Sequence, residues 1–159
     1  MDVIDIRYGR LDTTQEALIT IPDETTGETL FFNCAEAAYL AMQCPERAKE
    51  FRYLDWCEAN RLARSVTPAP DWNTKRIETM RKILRREFRQ NPELKRELLD
   101  TGDAVLVKKY RLNAYNPVGK TLEEYLFWGF YNGGGRNNFG KLLMELRDEF
   151  RESETGIAV

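Results

Sequence analysis

Residues Thr29–Gln43 read TLFFNCAEAAYLAMQ, and the period of the chain changes inside them. Thr29 to Phe32 is β-rich, whereas Ala35, Ala38, Tyr39 and Met42 recur at i, i+3, i+4 and i+7, the spacing of one helix face. Upstream the β signal continues. Val3 to Tyr8 alternates, and Ala17 to Ile21 is followed by the turn-like Pro22 to Gly27, so the strands on either side of that turn predict a hairpin.

Downstream the helical signal dominates. Pro45 ends the first helix and opens a second predicted to run to about Arg64, with a break near Asp55. Thr67 to Pro70 is a stiff connector, after which Asp71 is a candidate N-cap for a long helix to Gln90 with Ile77, Met80, Ile83, Leu84 and Phe88 as its apolar stripe. Asn91-Pro92 opens another helix burying Leu94, Leu98 and Leu99. Ala104 to Tyr110 is the best strand signal of the second half. Leu112 to Lys120 reads as loop, Thr121 to Tyr131 as mixed, and a last amphipathic helix carries Leu142, Leu143, Leu146 and Phe150 before a polar tail at 151–159. The fold class expected is α+β, as a single domain over 1–159 with a small N-terminal β region and a mainly helical remainder.

Composition narrows the chemistry. The chain has 159 residues, with 24 Lys+Arg against 26 Asp+Glu and no histidine. A chain of that length buries roughly 70% of the surface its unfolded form exposes. A net charge of −2 gives no global attraction to DNA or anionic lipid. The absence of histidine excludes Ser-His-Asp and Cys-His mechanisms, HExxH zinc sites and histidine pH switches. Cys34, Cys44 and Cys57 match no metal-binding spacing, and their odd number argues against a disulfide framework. No metal and no cofactor are expected. No apolar run reaches the ~18 to 20 residues of a membrane span, and Met1–Asp5 does not start a signal peptide, so a cytoplasmic protein is expected.

Four features bear on function. Gly133, Gly134 and Gly135, with Arg136 and a helix beginning near Phe139, resemble an anion cradle of converging amides and one cation; the alternative is a loose connection. Glu36 stands among Cys34, Ala35, Ala37 and Ala38, either as a partner of the helix dipole or as an acid or acceptor for a sugar hydroxyl. The basic run Lys75, Arg76, Arg81, Lys82, Arg85, Arg86 and Arg89 reads as an outward helix face diluted by Glu78 and Glu87, which argues against a nucleic-acid partner. Trp56, Trp72, Trp128, Tyr115, Tyr125 and Tyr131 read mainly as core, with Trp128-Gly129 near the Gly-rich turn set apart as a possible base platform.

Several segments in register resemble the YbiA/NADAR family. They are Cys34 to Tyr39, Arg61 to Arg64, Trp72 with Met80-Arg81-Lys82 and Arg86-Glu87-Phe88, Glu93 to Gly102 with Val105 to Val107, and Trp128-Gly129 with Gly135 to Arg147. They cover about Thr29 to Glu149. The resemblance implies an α+β fold and an N-glycosidase acting on ribose attached to nitrogen, with phosphoribosylamino intermediates of riboflavin synthesis and ADP-ribose on guanine as family substrates. It implies that Glu36, Arg64, Trp72, Trp128, Gly129, Gly134, Gly135, Arg136, Asn137 and Asn138 line the pocket.

Three departures stand against that pattern. The family lysine that forms an imine with the opened sugar falls at Gln43; an acid falls at Lys108; an aspartate falls at Tyr125. Glu123 or Glu124 can replace that aspartate if the register slips, and Arg111 to Glu124 looks like an insertion. The expectation is therefore a NADAR-like protein that binds an ADP-ribose-type nucleotide at Glu36, Gln43 and the residues above with little or no turnover, sequestering a nucleotide signal, for example as a viral anti-defence sponge. The alternatives are an active N-glycosidase using Glu36, and a nucleic-acid or protein adaptor.

Overall fold

A computed structural model describes residues 2–111 and 120–156. The expected loop at Leu112 to Lys120 and Tyr115 fall almost entirely outside the described residues. The chain forms two compact units, Thr13–Pro92 and the pair of segments Met1–Asp12 and Glu93–Val159.

In the Thr13–Pro92 unit, β2 (Ile19–Pro22) and β3 (Thr29–Phe32) pair antiparallel, with Ile19 opposite Phe32 and Pro22 opposite Thr29, as the turn chemistry predicts. Strand β1 (Val3–Asp5) belongs to the other unit. The hairpin feeds α1 (Ala35–Ala41), in which every residue is buried. Only small residues permit that, because Ala35, Ala37, Ala38 and Ala41 let neighbouring elements close on all sides of the helix. It packs against α2 (Trp56–Ala63) and α3 (Trp72–Gln90).

The expected helix from Pro45 to Arg64 is two pieces. Pro45–Phe51 is a 3₁₀ helix, and the break falls at Asp55. There Asp55 Oδ1 accepts the Glu58 amide at 2.8 Å while Glu58 Oε1 accepts the Asp55 amide at 3.0 Å, a reciprocal capping box. Asp71 flanks α3 as expected, but its carboxylate makes no cap bond and pairs with Lys75 at 2.7 Å instead. The core of this unit is Ile19, Leu30, Phe32, Phe51, Leu84 and Phe88, each 2% exposed or less. Burying such side chains contributes roughly 1.5–3 kcal/mol apiece.

In the other unit, β1 lies parallel to β4 (Val105–Val107), with Val3 opposite Val105. Parallel pairing needs a long crossover, and the whole Thr13–Pro92 unit is inserted in it. Helix α4 (Pro92–Asp100) precedes β4 and buries Leu94 and Leu98, with Leu99 half-buried. The single strand expected over Ala104 to Tyr110 is interrupted at Lys108, so that β5 (Lys109–Tyr110) pairs with β6 (Phe130–Tyr131) rather than with β1. Helix α5 (Leu122–Trp128) is capped by Thr121, and α6 (Asn138–Thr155) packs on β4 and buries Phe139, Leu142, Leu143 and Leu146. Much of the expected polar tail is helix, ended by Gly156 at φ +75°.

Candidate functional site

The Thr13–Pro92 unit holds a buried polar cluster centred on Glu36. The side chain lies in the first turn of α1, where a carboxylate meets the positive end of the helix. Its Oε2 accepts the Thr13 hydroxyl at 2.7 Å, and its Oε1 accepts Asn60 Nδ2 at 3.3 Å. The Glu36 amide in turn donates to the Thr13 carbonyl at 3.1 Å. Asn60 is aimed by a second bond, 2.8 Å to the Trp56 carbonyl. Thr13, Glu36 and Asn60 are 1%, 4% and 8% exposed. A carboxylate offers about four acceptor positions, and the Thr13 hydroxyl and the Asn60 amide are two of the groups that meet this one.

One turn along α1, the Tyr39 ring lies 5.1 Å from that of Trp72 at 51°. Trp72, expected as a pocket residue, is buried in this contact. Gln43 lies beyond the end of α1, half-buried, with its carbonyl accepting the Ala69 amide at 2.8 Å. Arg64 caps the C-terminus of α2 and is exposed. Cys34 is the N-cap of α1, its sulfur 3.4 Å from the Ala37 amide, and burial pushes its thiol up to about 12. Glu36 and Glu87 reinforce that shift. Glu87, expected on the outward face of α3, is 2% exposed.

The other unit holds the remaining expected residues. Trp128 is 7% exposed, with Phe127 against it edge-to-face at 4.8 Å, so its ring is packing rather than an open base platform. Gly129 permits backbone approach: a Cβ there would fall 2.1 Å from the Lys108 carbonyl oxygen. Gly135, at φ +143°, fits against Gly129 in the same way.

The Gly-rich turn is more occupied than its composition implies. The amides of Gly134, Arg136 and Asn137 donate to the carbonyls of Tyr131, Leu126 and Gly129. An anion here would meet the exposed Arg136 side chain and the amides of Gly133 and Gly135, a smaller cradle than the sequence implies. Asn137 is structural: it receives the Lys108 amide on Oδ1 at 3.2 Å and donates Nδ2 to the Leu106 carbonyl at 3.0 Å. Asn138 is half-buried at the start of α6. Glu124 lies in the first turn of α5, its amide 3.3 Å from the Thr121 hydroxyl, which also reaches its carboxylate at 3.4 Å. Glu123 is exposed beside it.

Sequence reading missed Thr13, Asn60 and Asp12, the partner of Lys108. The Lys108 ammonium lies 2.8 Å from Asp12 Oδ1, with side chains 7% and 1% exposed. Asp12 Oδ2 accepts the Tyr8 amide at 2.8 Å. No local pattern signals these residues, because each is polar in a polar stretch and acquires its role from a distant partner. Among the described residues no group of three or more His, Cys, Asp or Glu could hold a metal, and no helix is long and apolar enough to cross a membrane.

The unit that carries this buried carboxylate at a helix start belongs to an α+β fold, and comparison with known proteins places that fold in a family. The NADAR domain matches residues 6–151, running through both units, and the chain belongs to this family. Across 87 residues it is 37% identical to N-glycosidase YbiA of Escherichia coli strain K12, covering 54% of this chain and 47% of that protein. It is 36% identical over 107 residues to riboflavin biosynthesis protein VVA0006 of Vibrio vulnificus, covering 65% of this chain and 26% of that one. The chain thus spans half or less of the length of these relatives. The NMR structure of E. coli YbiA superposes with a TM-score of 0.73 at 26% identity, covering 97% of this chain and 88% of that one.

Proposed function

We propose that this chain binds an ADP-ribose-type nucleotide through its ribose, with little or no turnover, and acts in the cytoplasm by holding a nucleotide signal. The observation that carries the reading is a contrast along α1. Glu36 is retained, buried and aimed by Thr13 and Asn60, while the place two turns later holds Gln43, whose amide cannot form an imine. Of the three lysines of this unit, Lys49 pairs with Glu28 and Lys75 with Asp71, both at 2.7 Å, and Lys82 lines a cleft that Glu36 does not share. Binding capacity therefore outlasts the amine. The exposed Arg136, in the other unit, is a separate candidate contact for phosphate.

The test is retention. The protein is incubated with NAD, ADP-ribose, cyclic ADP-ribose and ADP-ribosylated guanosine, washed and denatured, and the released species are weighed by mass spectrometry. Intact ligand supports the reading, and nothing held overturns it. Cleaved product supports the second reading, an active N-glycosidase with Glu36 as its acid, which is favoured by the N-glycosidase names of the relatives and the retained carboxylate.

A further inference from the structure

The basic face of α3 borders two clefts within the Thr13–Pro92 unit. The larger, about 510 Å³, is lined by the apolar Ile21, Leu30, Met42, Pro45 and Ile83, with Lys75, Lys82 and Arg86 of α3 among its polar residues. The smaller, about 350 Å³, is lined by Lys82, Arg85, Arg86, Arg89 and Gln90. Lys82 and Arg86 belong to both. None of Thr13, Glu36, Asn60 or Trp72 lines either one.

We propose that these joined clefts form a second ligand site, for an organic phosphate ester with an aliphatic body: the body in the larger cleft, two or more phosphates along Lys82, Arg85, Arg86 and Arg89 in the smaller. The division follows from the lining. Volumes of a few hundred Å³ with apolar walls and a few placed charges are typical of small-molecule sites. The larger cleft contains no aromatic ring to stack a base. It does contain Asp23 and Glu24, but Asp23 is turned onto its own loop, accepting the Thr25 amide at 2.9 Å, which holds its carboxyl below the usual range. The smaller cleft contains no carboxylate at all.

Spacing favours a chain of phosphates over a single one. Residues three and four apart on a helix are neighbours at about 5–6 Å, so positions 82, 85, 86 and 89 make a ladder about 10 Å long. Among the described residues Lys82 and Arg86 take part in no ion pair; Arg86 reaches only the Thr20 carbonyl, at 3.5 Å. Their charges are available to a ligand without first displacing a carboxylate. This site is independent of the ribose reading at Glu36, since its ligand class contains no ribose.

The probes are geranyl diphosphate, geraniol, inorganic diphosphate and a fluorescent oligonucleotide, titrated calorimetrically or by anisotropy at low and high salt. Geranyl diphosphate is expected to bind more tightly than geraniol or inorganic diphosphate, and to weaken as salt rises. The double variant Lys82→Ala/Arg86→Ala, at two exposed positions, should weaken it by about tenfold or more. Met42→Gln should weaken geranyl diphosphate and leave inorganic diphosphate unchanged. Glu36→Gln should leave geranyl diphosphate binding intact, which separates failure here from failure of the ribose reading. Equal binding by parent and double variant overturns the proposal. So does equal binding of geranyl and inorganic diphosphate, or oligonucleotide binding lost in the double variant without any binding of geranyl diphosphate. The parent-only comparison decides the matter even if a variant does not fold.

Discussion

Thr13 and Glu36 are joined twice: the Thr13 hydroxyl donates to Glu36 Oε2 at 2.7 Å, and the Thr13 carbonyl accepts the Glu36 amide at 3.1 Å. The first bond aims the carboxylate, and the second fixes the start of the helix that carries it. Thr13→Val keeps the shape and removes the donor to a buried carboxylate. Leaving that oxygen short of a partner should cost about 1–3 kcal/mol of stability, read by urea denaturation, and should also weaken nucleotide retention. Unchanged retention with lowered stability would mean that Thr13 supports the fold only.

Gln43→Lys restores a primary amine at the place where the family pattern has one. If the Glu36 cluster still receives ribose, incubation with ADP-ribosylated guanosine and borohydride should leave a mass adduct on the variant and none on the parent. Turnover should appear in the variant, and Gln43→Lys/Glu36→Gln should abolish it. Cleavage by the parent that Gln43→Lys does not raise would show that catalysis lies elsewhere, and would favour the active reading.

Gly135 tests whether the Gly-rich turn is packing or cradle. A methyl group there would meet the Gly129 carbonyl oxygen at 2.1 Å, from a backbone at φ +143° that L-residues rarely adopt. Gly135→Ala should cost about 1–3 kcal/mol or more. Gly133 has open space around its Cβ position, so Gly133→Ala carries only the penalty of φ +82°. Similar losses in the two variants would contradict the packing account. Arg136→Ala, at an exposed side chain, should leave stability nearly unchanged and weaken binding of a phosphate-bearing ligand; binding equal to the parent would remove the phosphate assignment.

The hairpin, α1 and α3 were legible because each follows from a local rule, β-rich runs flanking a turn or a period of 3.6; a break was legible near Asp55, and the capping box with Glu58 is its physical reason. What was not legible depends on distant partners. The Ala104 to Tyr110 signal is uniformly strand-like, yet the Lys108 amide turns to Asn137 and its carbonyl accepts the Phe130 amide, which splits the strand. Glu87 stands in the basic run of α3, yet at 100° per residue it falls between Ile83 and Met80 of the apolar stripe, and it is buried with them. The glycines at 133–135 were read through composition; which amides remain open depends on Tyr131, Leu126 and Gly129. At the site, Glu36 was legible from its apolar neighbours, while Thr13 and Asn60, 23 and 24 positions away, were not.

Cys34 gives a pH dependence with a definite sign. Its folded thiol is raised by burial from 9.0 to about 12. Above pH 9 the unfolded chain releases this proton and the folded chain keeps it, so the stability this group supplies is complete below pH 9 and is lost as pH rises towards 12. The slope from one proton is about 1.4 kcal/mol per pH unit. Cys34→Ala lowers stability at neutral pH, because the cap is lost, but should flatten the alkaline decline by that slope. Native-state alkylation at pH 8 should reach Cys44 and Cys57 well before Cys34. Parallel alkaline curves for parent and Cys34→Ala would refute the assignment.

The buried pair Lys108–Asp12 separates a positioning role from simple charge pairing. Lys108 Nζ lies 2.8 Å from Asp12 Oδ1 and over the rings of Phe139 and Tyr110, at 5.0 and 5.5 Å. Asp12 Oδ2 also holds the amide of Tyr8, a residue at φ 62°. Removing one charge from such a pair strands the other, so Lys108→Met should cost about 3–5 kcal/mol. Asp12→Asn/Lys108→Met removes both charges and keeps an oxygen for the Tyr8 amide. It should therefore be more stable than Lys108→Met alone, although it carries one more substitution. Urea denaturation of the parent, both single variants and the double variant closes the cycle. Additive losses would mean that the two charges do not depend on each other, and the interruption between β4 and β5 would then rest on the Asn137 bonds to Lys108 and Leu106 and on the Phe130 amide at the Lys108 carbonyl.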